Sequence, residues 1–291
     1  MIHRYFKEGQ KLDVAGLNEL TVLIDRSETE LTEVALNEWP AKLNGPPHEH
    51  DQKDQVFYIV AGEGIVEVGS DKFNVVPGNL IYVPAGLVHR TITTSDEPLG
   101  YILYNVFNSD DKEGHVSFAD HIEKVKHIRR QQADSGKSDV TETEHTAIAT
   151  RKCKFIADVF KGVKYEFGSN DTLLQIDRTE TNRFEFVVVQ WPAGNKGAMV
   201  SHKEKEQTFF ILSGTGAVTV GDETETVNPG DIIFVPRNTP HTTEAGNETL
   251  TYLCLNAIVT KPQDKSFDDM YKRVAPERIK RWKSGDTSVG D

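Results

Sequence analysis

Three histidines and one glutamine are spaced so that a single metal ion could bind all four. His48 and His50 alternate along an extended segment, which places both side chains on one face of a strand. A tight turn then returns the chain to Gln55, and His89 follows at the end of the segment Pro84-Ala85-Gly86-Leu87-Val88-His89. Neutral nitrogen and oxygen donors of this kind suit Zn, Ni, Fe or Mn. We therefore expect one divalent transition metal in the N-terminal half of the chain.

The segments around these donors have the pattern of short β-strands. Residues 56–60, 64–68 and 80–83 are rich in β-branched and aromatic side chains and are bounded by glycine or Pro-Gly pairs. Many short strands at close spacing favour a sandwich or a barrel, and a closed barrel leaves no exposed edge. Ligands of such a barrel bind in its mouth or interior, where the four donors would converge.

The chain contains two copies of one domain. Asp25-Arg26-Ser27-Glu28-Thr29 returns as Asp177-Arg178-Thr179-Glu180-Thr181, and Trp39-Pro40-Ala41 returns as Trp191-Pro192-Ala193 at the same offset. From Ile24 to His89 the match to the second half needs no gap, and roughly two positions in five are identical, which is more than chance self-similarity would give. A helical stretch follows each copy, at residues 120–130 and 268–281.

From this repeat we predict four regions. They are an N-terminal barrel at 1–112, a helix and linker at 113–150, a C-terminal barrel at 151–262 and a C-terminal helical tail at 263–291. The polar segment 131–143 is typical of a linker between domains.

Composition narrows the class of partner. The 291 residues carry a formal charge of −12, and lysine and arginine are scattered among acids, which argues against nucleic acid or an anionic membrane as a partner. No apolar segment resembles a signal peptide or approaches the ~20 residues of a membrane span, so we expect a cytoplasmic location.

Cys153 and Cys254 lie far apart and indicate neither a thiolate metal site nor a disulfide framework. The expected partner is a small-molecule substrate or ligand, with a homodimer left open.

Two motifs in the first copy resemble those of the cupin superfamily, the RmlC-like jelly-roll proteins. The first motif is Gly45-Pro46-Pro47-His48-Glu49-His50 followed by Gln55 and Gly62, and the second is Pro77-Gly78, Pro84, Gly86 and His89. The resemblance implies an all-β bicupin, with two tandem jelly-roll (double-stranded β-helix) barrels, each followed by a short α-helix. It also implies that His48, His50, Gln55 and His89 are metal ligands, and we call them the four-donor set.

The two copies differ at the site. Gln55 stands where a glutamate is commoner in the family, so a divalent ion would keep its full charge and attract an anionic ligand more strongly. In the second copy, Val200 occupies the position of His48, while His202, Gln207 and His241 remain. This is a possible degenerate second site, in a barrel that is either metal-poor or a three-ligand centre with water.

Three functional classes remain open, because one barrel fold hosts many activities. In the first, the metal acts as a Lewis acid on a small oxygenated anion, such as a sugar acid or keto acid, in an isomerase or lyase. In the second, ferrous iron activates dioxygen, as in the bicupin quercetinases that the chain resembles. In the third, the barrels bind a small ligand such as a sugar without catalysis.

Other side chains could assist the metal or support the fold. Tyr58, Tyr82 and Tyr104 are candidate catalytic hydroxyl groups near the metal, although aromatic strand residues more often pack. Arg26 and Arg178 could bind a carboxylate substrate or form structural ion pairs with Asp25, Glu28 or their counterparts. The remaining histidines of the first copy and its linker lack ligand spacing, and we expect them to face solvent or to make local contacts; they are His3, His115, His121, His127 and His145.

Overall fold

The computed structural model describes residues 1–135 and 151–290, and the chain divides into two compact units. The first barrel, as we call the unit Lys7–Asp158, contains the four-donor set. The second barrel combines Met1–Phe6 with Val159–Asp291. The all-β architecture expected from the sequence is confirmed, with a helix after each barrel.

The boundaries of the units differ from those expected at two places. Strand β1 (Ile2–Tyr5) pairs with a strand of the second barrel, although the sequence placed residues 1–112 together in the first. In the opposite sense, residues 151–158 belong to the first barrel, because Lys154–Ile156 pairs with Leu80–Val83. Each exchanged strand gives a sheet edge a hydrogen-bonded neighbour, which repeat matching cannot reveal. The expected linker 131–143 overlaps the end of the first helix, and its part beyond residue 135 lies outside the described residues, as does His145.

The first barrel is built from antiparallel strands and one helix. Its strands are β2 (Gln10–Val14), β3 (Asn18–Ile24), β4 (Thr32–Trp39), β5 (Lys53–Ala61), β6 (Gly64–Val68), β7 (Asp71–Val75), β8 (Leu80–Val83), β9 (His89–Thr93), β10 (Leu99–Phe107) and β11 (Lys154–Ile156), and helix α1 is Phe118–Asp134. One sheet has the order β11-β8-β5-β10-β4-β3-β2, and a smaller sheet has the order β7-β6-β9. Alternate residues of these strands, such as Phe57 and Ile59 on β5, form the buried core.

The second barrel repeats this plan. Its further strands are β12 (Val163–Glu166), β13 (Asp171–Ile176), β14 (Phe184–Trp191), β15 (Lys205–Ser213), β16 (Gly216–Val220), β17 (Glu223–Val227), β18 (Asp231–Val235), β19 (His241–Ala245) and β20 (Leu250–Ile258), and helix α2 is Phe267–Ser284. The sheets have the orders β1-β18-β15-β20-β14-β13-β12 and β17-β16-β19. The motif glycine Gly62 and its repeat Gly214 both have positive φ, and a Cβ on either would lie 2.2 Å from a carbonyl oxygen. Only glycine therefore fits this turn.

The repeated Asp-Arg-Ser/Thr-Glu-Thr segment positions each helix. In the first copy Asp25 and Glu28 form a capping box around a short 3-10 turn. The second carboxylate oxygen of Asp25 accepts a hydrogen bond of 2.9 Å from the backbone N–H of Phe118, which begins α1, and Asp177 does the same for Phe267 at the start of α2. The segment thus fixes where each helix starts on its barrel. No helix within residues 1–135 or 151–290 is long and apolar enough to cross a membrane.

Candidate metal centre

Three imidazoles converge inside the first barrel. One ring nitrogen from each of His48, His50 and His89 lies within 4.8 Å of the others. The backbones of His48 and His89 form an isolated antiparallel bridge, with N–H to carbonyl distances of 3.0 and 2.8 Å. His50 is two residues along the same extended segment, so its side chain returns to the same face. The pattern of the motif therefore produces the predicted convergence through ordinary strand geometry.

Hydrogen bonds to the backbone orient two of these rings. The Nδ1 atoms of His48 and His89 lie 3.0 and 2.9 Å from the carbonyl oxygens of Pro46 and Leu87. A carbonyl only accepts, so each Nδ1 carries the proton and each Nε2 keeps its lone pair. Burial holds the pKa of His48 and of His50 well below the usual range, and it lowers the pKa of His89 to about 4. The rings are therefore neutral at physiological pH, as metal ligation requires.

Gln55 is oriented by a chain of buried side chains. Its Nε2 donates to Oδ1 of Asn105 at 2.8 Å, and Nδ2 of Asn105 donates to Glu33 at 2.7 Å. Glu33 in turn accepts from Arg26 at 2.6 and 2.9 Å. With its amide nitrogen engaged, Gln55 presents its oxygen to the barrel interior.

Two buried atoms of the four-donor set lack a hydrogen-bond partner among the residues that the structure describes. They are Oε1 of Gln55 and Nε2 of His89. Leaving a buried acceptor unpaired costs about 1–3 kcal/mol, so both atoms favour a ligand at the point they face. The donor types, their protonation and the hydrogen bonds that orient them all fit a divalent transition-metal ion.

We expect the chain from Gln55 to Glu33 to tune metal affinity. Asn105→Leu would leave the Gln55 amide free to rotate and should weaken metal binding by about 10–100-fold, the usual cost of changing a residue that orients a metal ligand. The matched control is Asn256→Leu in the second barrel, where Asn256 makes the corresponding contacts to Gln207 at 2.7 Å and Glu185 at 3.1 Å. Competition with a metal chelator would measure both variants, and equal affinities in the two would contradict this role for Asn105.

The two repeated arginines form structural ion pairs. Arg26 is 1% exposed and is held by Glu33, and Arg178 pairs with Glu185 at 2.8 Å. The expectation of an ion pair is met, but the partners are the buried glutamates of β4 and β14 rather than Asp25 or Glu28. Arg26 therefore supports the Gln55 chain and is not available to a substrate.

The three candidate catalytic tyrosines do not reach the cavity. Tyr58, Tyr82 and Tyr104 alternate with the residues that line it, because Gln55, Phe57, Leu103 and Asn105 point inwards from β5 and β10. Tyr82 instead donates to Asp54 at 3.1 Å on the opposite face of the sheet. The prediction of catalytic roles for these tyrosines was wrong in its choice of strand face.

A fourth tyrosine, Tyr101, does line the cavity. Its Oη accepts hydrogen bonds from Trp39 at 2.9 Å and from Asn37 at 3.0 Å, and Thr91 Oγ1 lies 3.2 Å away. Burial raises its pKa to about 12, so the hydroxyl stays protonated. Tyr252, Trp191 and Thr243 repeat much of this arrangement in the second barrel, which indicates that it shapes the wall of both cavities.

The cavity of the first barrel is small and mostly apolar. Its volume is about 70 Å³, and its apolar wall includes Leu20, Phe57 and Leu103. Helix α1 contributes Phe118, His121, Ile122, Val125 and Arg129 to the lining. The half-buried Arg129 has its pKa lowered to about 10 by burial, which leaves it a cation at neutral pH.

Helix α1 also corrects the expectation for His121. The sequence placed this histidine among those facing solvent or local contacts, but it is 7% exposed and lines the cavity. Neither His121 nor Arg129 belongs to a recognisable motif. The one signal available from sequence is that Arg129 and Arg278 occupy the same place relative to the helix caps Ser117 and Ser266.

The second barrel keeps the backbone arrangement of the first at this position but not all of its side chains. Val200 bridges His241 as His48 bridges His89, with distances of 3.0 and 2.8 Å. The rings of His202 and His241 lie 5.1 Å apart, and both line a cavity of about 100 Å³ together with Gln207. Burial lowers the pKa of His241 to about 4. The valine side chain thus takes the place of one nitrogen donor, while the backbone bridge matches that of the first barrel.

Comparison with known proteins supplies the context for this geometry. The Cupin domain family model matches residues 38–104 and 186–256, one segment in each barrel. The chain is 25% identical over 257 residues to quercetin 2,3-dioxygenase of Bacillus subtilis, a match that covers 80% of this chain and 75% of that protein. A shorter match, 39% identical over 64 residues, is to an uncharacterised protein of Methanocaldococcus jannaschii; it covers 22% of this chain and about half (51%) of that protein.

Two solved structures show a similar fold. The oxalate decarboxylase of Lactobacillus farciminis in its formate complex has a TM-score of 0.60 at 13% identity, covering 89% of this chain and 87% of that one. A Bacillus subtilis oxalate decarboxylase variant has a TM-score of 0.59 at 14% identity, covering 90% of this chain and 78% of that one. At these identities the likeness extends to the fold alone.

Proposed function

Because the chain belongs to the cupin superfamily as a tandem pair of barrels, we propose that it is a metal-dependent enzyme whose active site lies in the first barrel. The four-donor set holds one divalent transition-metal ion there. The observation that carries this assignment is the pair of unpartnered buried acceptors, Gln55 Oε1 and His89 Nε2, beside three neutral imidazoles. The second barrel, in which Val200 replaces one histidine of the donor set, holds metal weakly and supports the fold or binds a ligand.

The proposed chemistry is redox-neutral transformation of a small oxygenated anion, such as a keto acid or sugar acid. The bound ion would supply Lewis acidity towards a carbonyl or carboxylate oxygen. Gln55 contributes no negative charge, so the ion keeps its full attraction for an anion. The apolar walls exclude water and strengthen each electrostatic contact within the site.

Arg129 is the residue that we assign to anion recognition. It is a cation on α1 that lines the cavity, and it hydrogen bonds to Gln132 on the same helix at 3.2 Å. A planar guanidinium matches a carboxylate in two parallel hydrogen bonds. The cavity of about 70 Å³ holds only several water-sized volumes, which favours a substrate of few atoms. Oxalate, for which the oxalate decarboxylases of similar fold are named, is one such anion.

A second candidate is an oxygen-dependent dioxygenase. The relationship to quercetin 2,3-dioxygenase over most of the chain favours it, and three histidines also suit ferrous iron. Helix α1 contributes Phe118, Ile122 and Val125 to the lining of the cavity, so the position of this helix would limit the size of substrate that such a dioxygenase accepts.

Metal analysis followed by oxygen-controlled assays tests the proposal. The chain purified without added metal should contain metal and should turn over small keto acids, dicarboxylates or sugar acids. A chelator should remove the metal and abolish this turnover. Equal turnover with and without dioxygen supports Lewis-acid chemistry, whereas strictly oxygen-dependent loss of diols or diketones supports the dioxygenase. A chain that binds no divalent ion even after reconstitution contradicts both enzymatic assignments.

The role of Arg129 predicts a defect in substrate binding. Arg129→Gln should raise KM for an anionic substrate about 10–100-fold, because a charge-assisted hydrogen bond contributes about 1.5–3 kcal/mol, and should leave metal content unchanged. Arg278→Gln is the matched control, since Arg278 lines the corresponding cavity of the second barrel. Steady-state kinetics and metal analysis of both variants measure this, and an unchanged KM in Arg129→Gln would exclude it from anion recognition.

A further inference from the structure

A second group of metal-ligating side chains lies at the start of helix α1. One ligand atom from each of Glu113, His115 and His121 lies within 4.8 Å of the others. The imidazoles of His115 and His121 are 4.9 Å apart between ring centroids and nearly perpendicular. None of these residues belongs to the four-donor set.

His121 is the member of the group that most needs a ligand. It is 7% exposed, and its Nδ1 is buried without a hydrogen-bond partner among the described residues. The nearest carboxylate oxygen, of Glu113, is 3.6 Å away, beyond hydrogen-bonding distance. An unsatisfied ring nitrogen at this depth is costly, and a metal ion between His121 and Glu113 would satisfy it.

Buried cations hold the carboxylate of Glu113 in place. Its Oε2 lies 3.2 Å from Lys53 and 3.7 Å from Arg26. Both cations also lie near Glu33, at 3.7 Å for Lys53 and 2.6 Å for Arg26, so two positive and two negative groups balance. An incoming ion would therefore meet an oriented carboxylate in a group of no net charge, and such outer contacts commonly support metal ligands.

Side chains of both charge signs surround the group. Glu49 and Asp51 line the same opening as the three residues, and Arg129 is the basic side chain among the residues that line it. The Nζ of Lys124 lies 3.2 Å from Nδ1 of His115 and donates to it, so an ion that binds Nε2 of this ring would displace the proton that the neutral imidazole carries there. His121 lines both this opening and the deeper cavity.

We propose that Glu113, His115 and His121 form a second site for a divalent transition-metal ion at the mouth of the first barrel. Two histidines and one carboxylate on one side of an ion are a known ligand set that leaves coordination positions open. The ion joins the loop at Lys112–Gly114 to helix α1 and so fastens the helix over the cavity. The second barrel has Met270 at the place of His121, so the site is specific to the first.

Titration of the chelator-treated chain with Co²⁺ alone, followed by calorimetry and by the visible absorption of the ion, tests the proposal. The wild type should bind two ions. His89→Ala, which disables the four-donor set, should keep one, and His121→Met should also keep one. The double variant should bind none, which separates failure of this site from failure of the proposed function.

His115→Gln is a second variant that keeps His121 in the fold, and it should weaken this site at least about 10-fold. His127→Gln, on the exposed side of the same helix, is the matched control and should bind as the wild type does. Removing metal with a chelator should also lower the midpoint of thermal unfolding, and the decrease should be larger for the wild type than for His121→Met. Unchanged stoichiometry and affinity in both His121→Met and His115→Gln would overturn the proposal.

Discussion

Replacing His89 by alanine should remove about one equivalent of metal per chain and reduce turnover at least about 100-fold, because losing a ligand costs more than the roughly 10–100-fold lost when a residue that hydrogen bonds to a ligand is changed. His89 is 3% exposed, and its Nδ1 is tied to the carbonyl of Leu87. Its Nε2 has no hydrogen-bond partner in the described part of the chain.

The duplication supplies a control for this experiment. His241 has the same strand position in the second barrel, the same backbone bridge and a comparable bond from its Nδ1 to Thr239, at 3.0 Å. His241→Ala removes a buried imidazole of equal size, so any loss of stability should be similar in the two variants. Metal analysis and kinetics on both would separate ligation from folding. If His241→Ala abolished turnover and His89→Ala did not, the second barrel would be the working site.

The convergence of the three histidines in the first barrel could be predicted from sequence because the motif encodes their geometry locally. His48 and His50 share a face through strand alternation, and Gln55 enters the next strand after one turn. The same parity argument excludes Tyr58, since it is an odd number of residues from the inward-facing Gln55. For Tyr104 the parity argument also requires the strand register. The face of Tyr104 follows from the pairing of Asn105 with Gln55, and this pairing is known only once β10 is aligned with β5 in the structure.

Contacts between distant segments account for what the sequence did not reveal. Arg129 and His121 line the cavity because α1 is anchored through Asp25, more than ninety residues earlier in the chain. Likewise, Glu33 rather than Asp25 or Glu28 pairs with Arg26, because β4 brings it beneath the short turn. Such contacts depend on how strands pair and helices dock, which composition and periodicity do not specify.

Val200→His should create a metal site in the second barrel and raise the metal content by about one equivalent per chain. The backbone at Val200 already bridges His241 with hydrogen bonds of 3.0 and 2.8 Å, the same distances that join His48 and His89. A histidine there would complete a set of three imidazoles and one amide oxygen, with Gln207 already oriented by Asn256. A site with four protein donors has no open coordination position, whereas a site with three leaves one for water.

The reciprocal change, His48→Val, gives the first barrel the donor set of the second. This variant should lose about one equivalent of metal per chain, the amount that Val200→His is expected to gain. Co²⁺ titration of the two single variants and of the exchanged pair would measure both effects, with the pair returning to the wild-type stoichiometry. Should Val200→His bind no additional ion, the weakness of the second site would lie outside the missing imidazole. Lys205 and the buried thiol of Cys254, which line that cavity, would then be the groups to change. Because the barrels share one frame, a single side chain is expected to decide which of them holds metal.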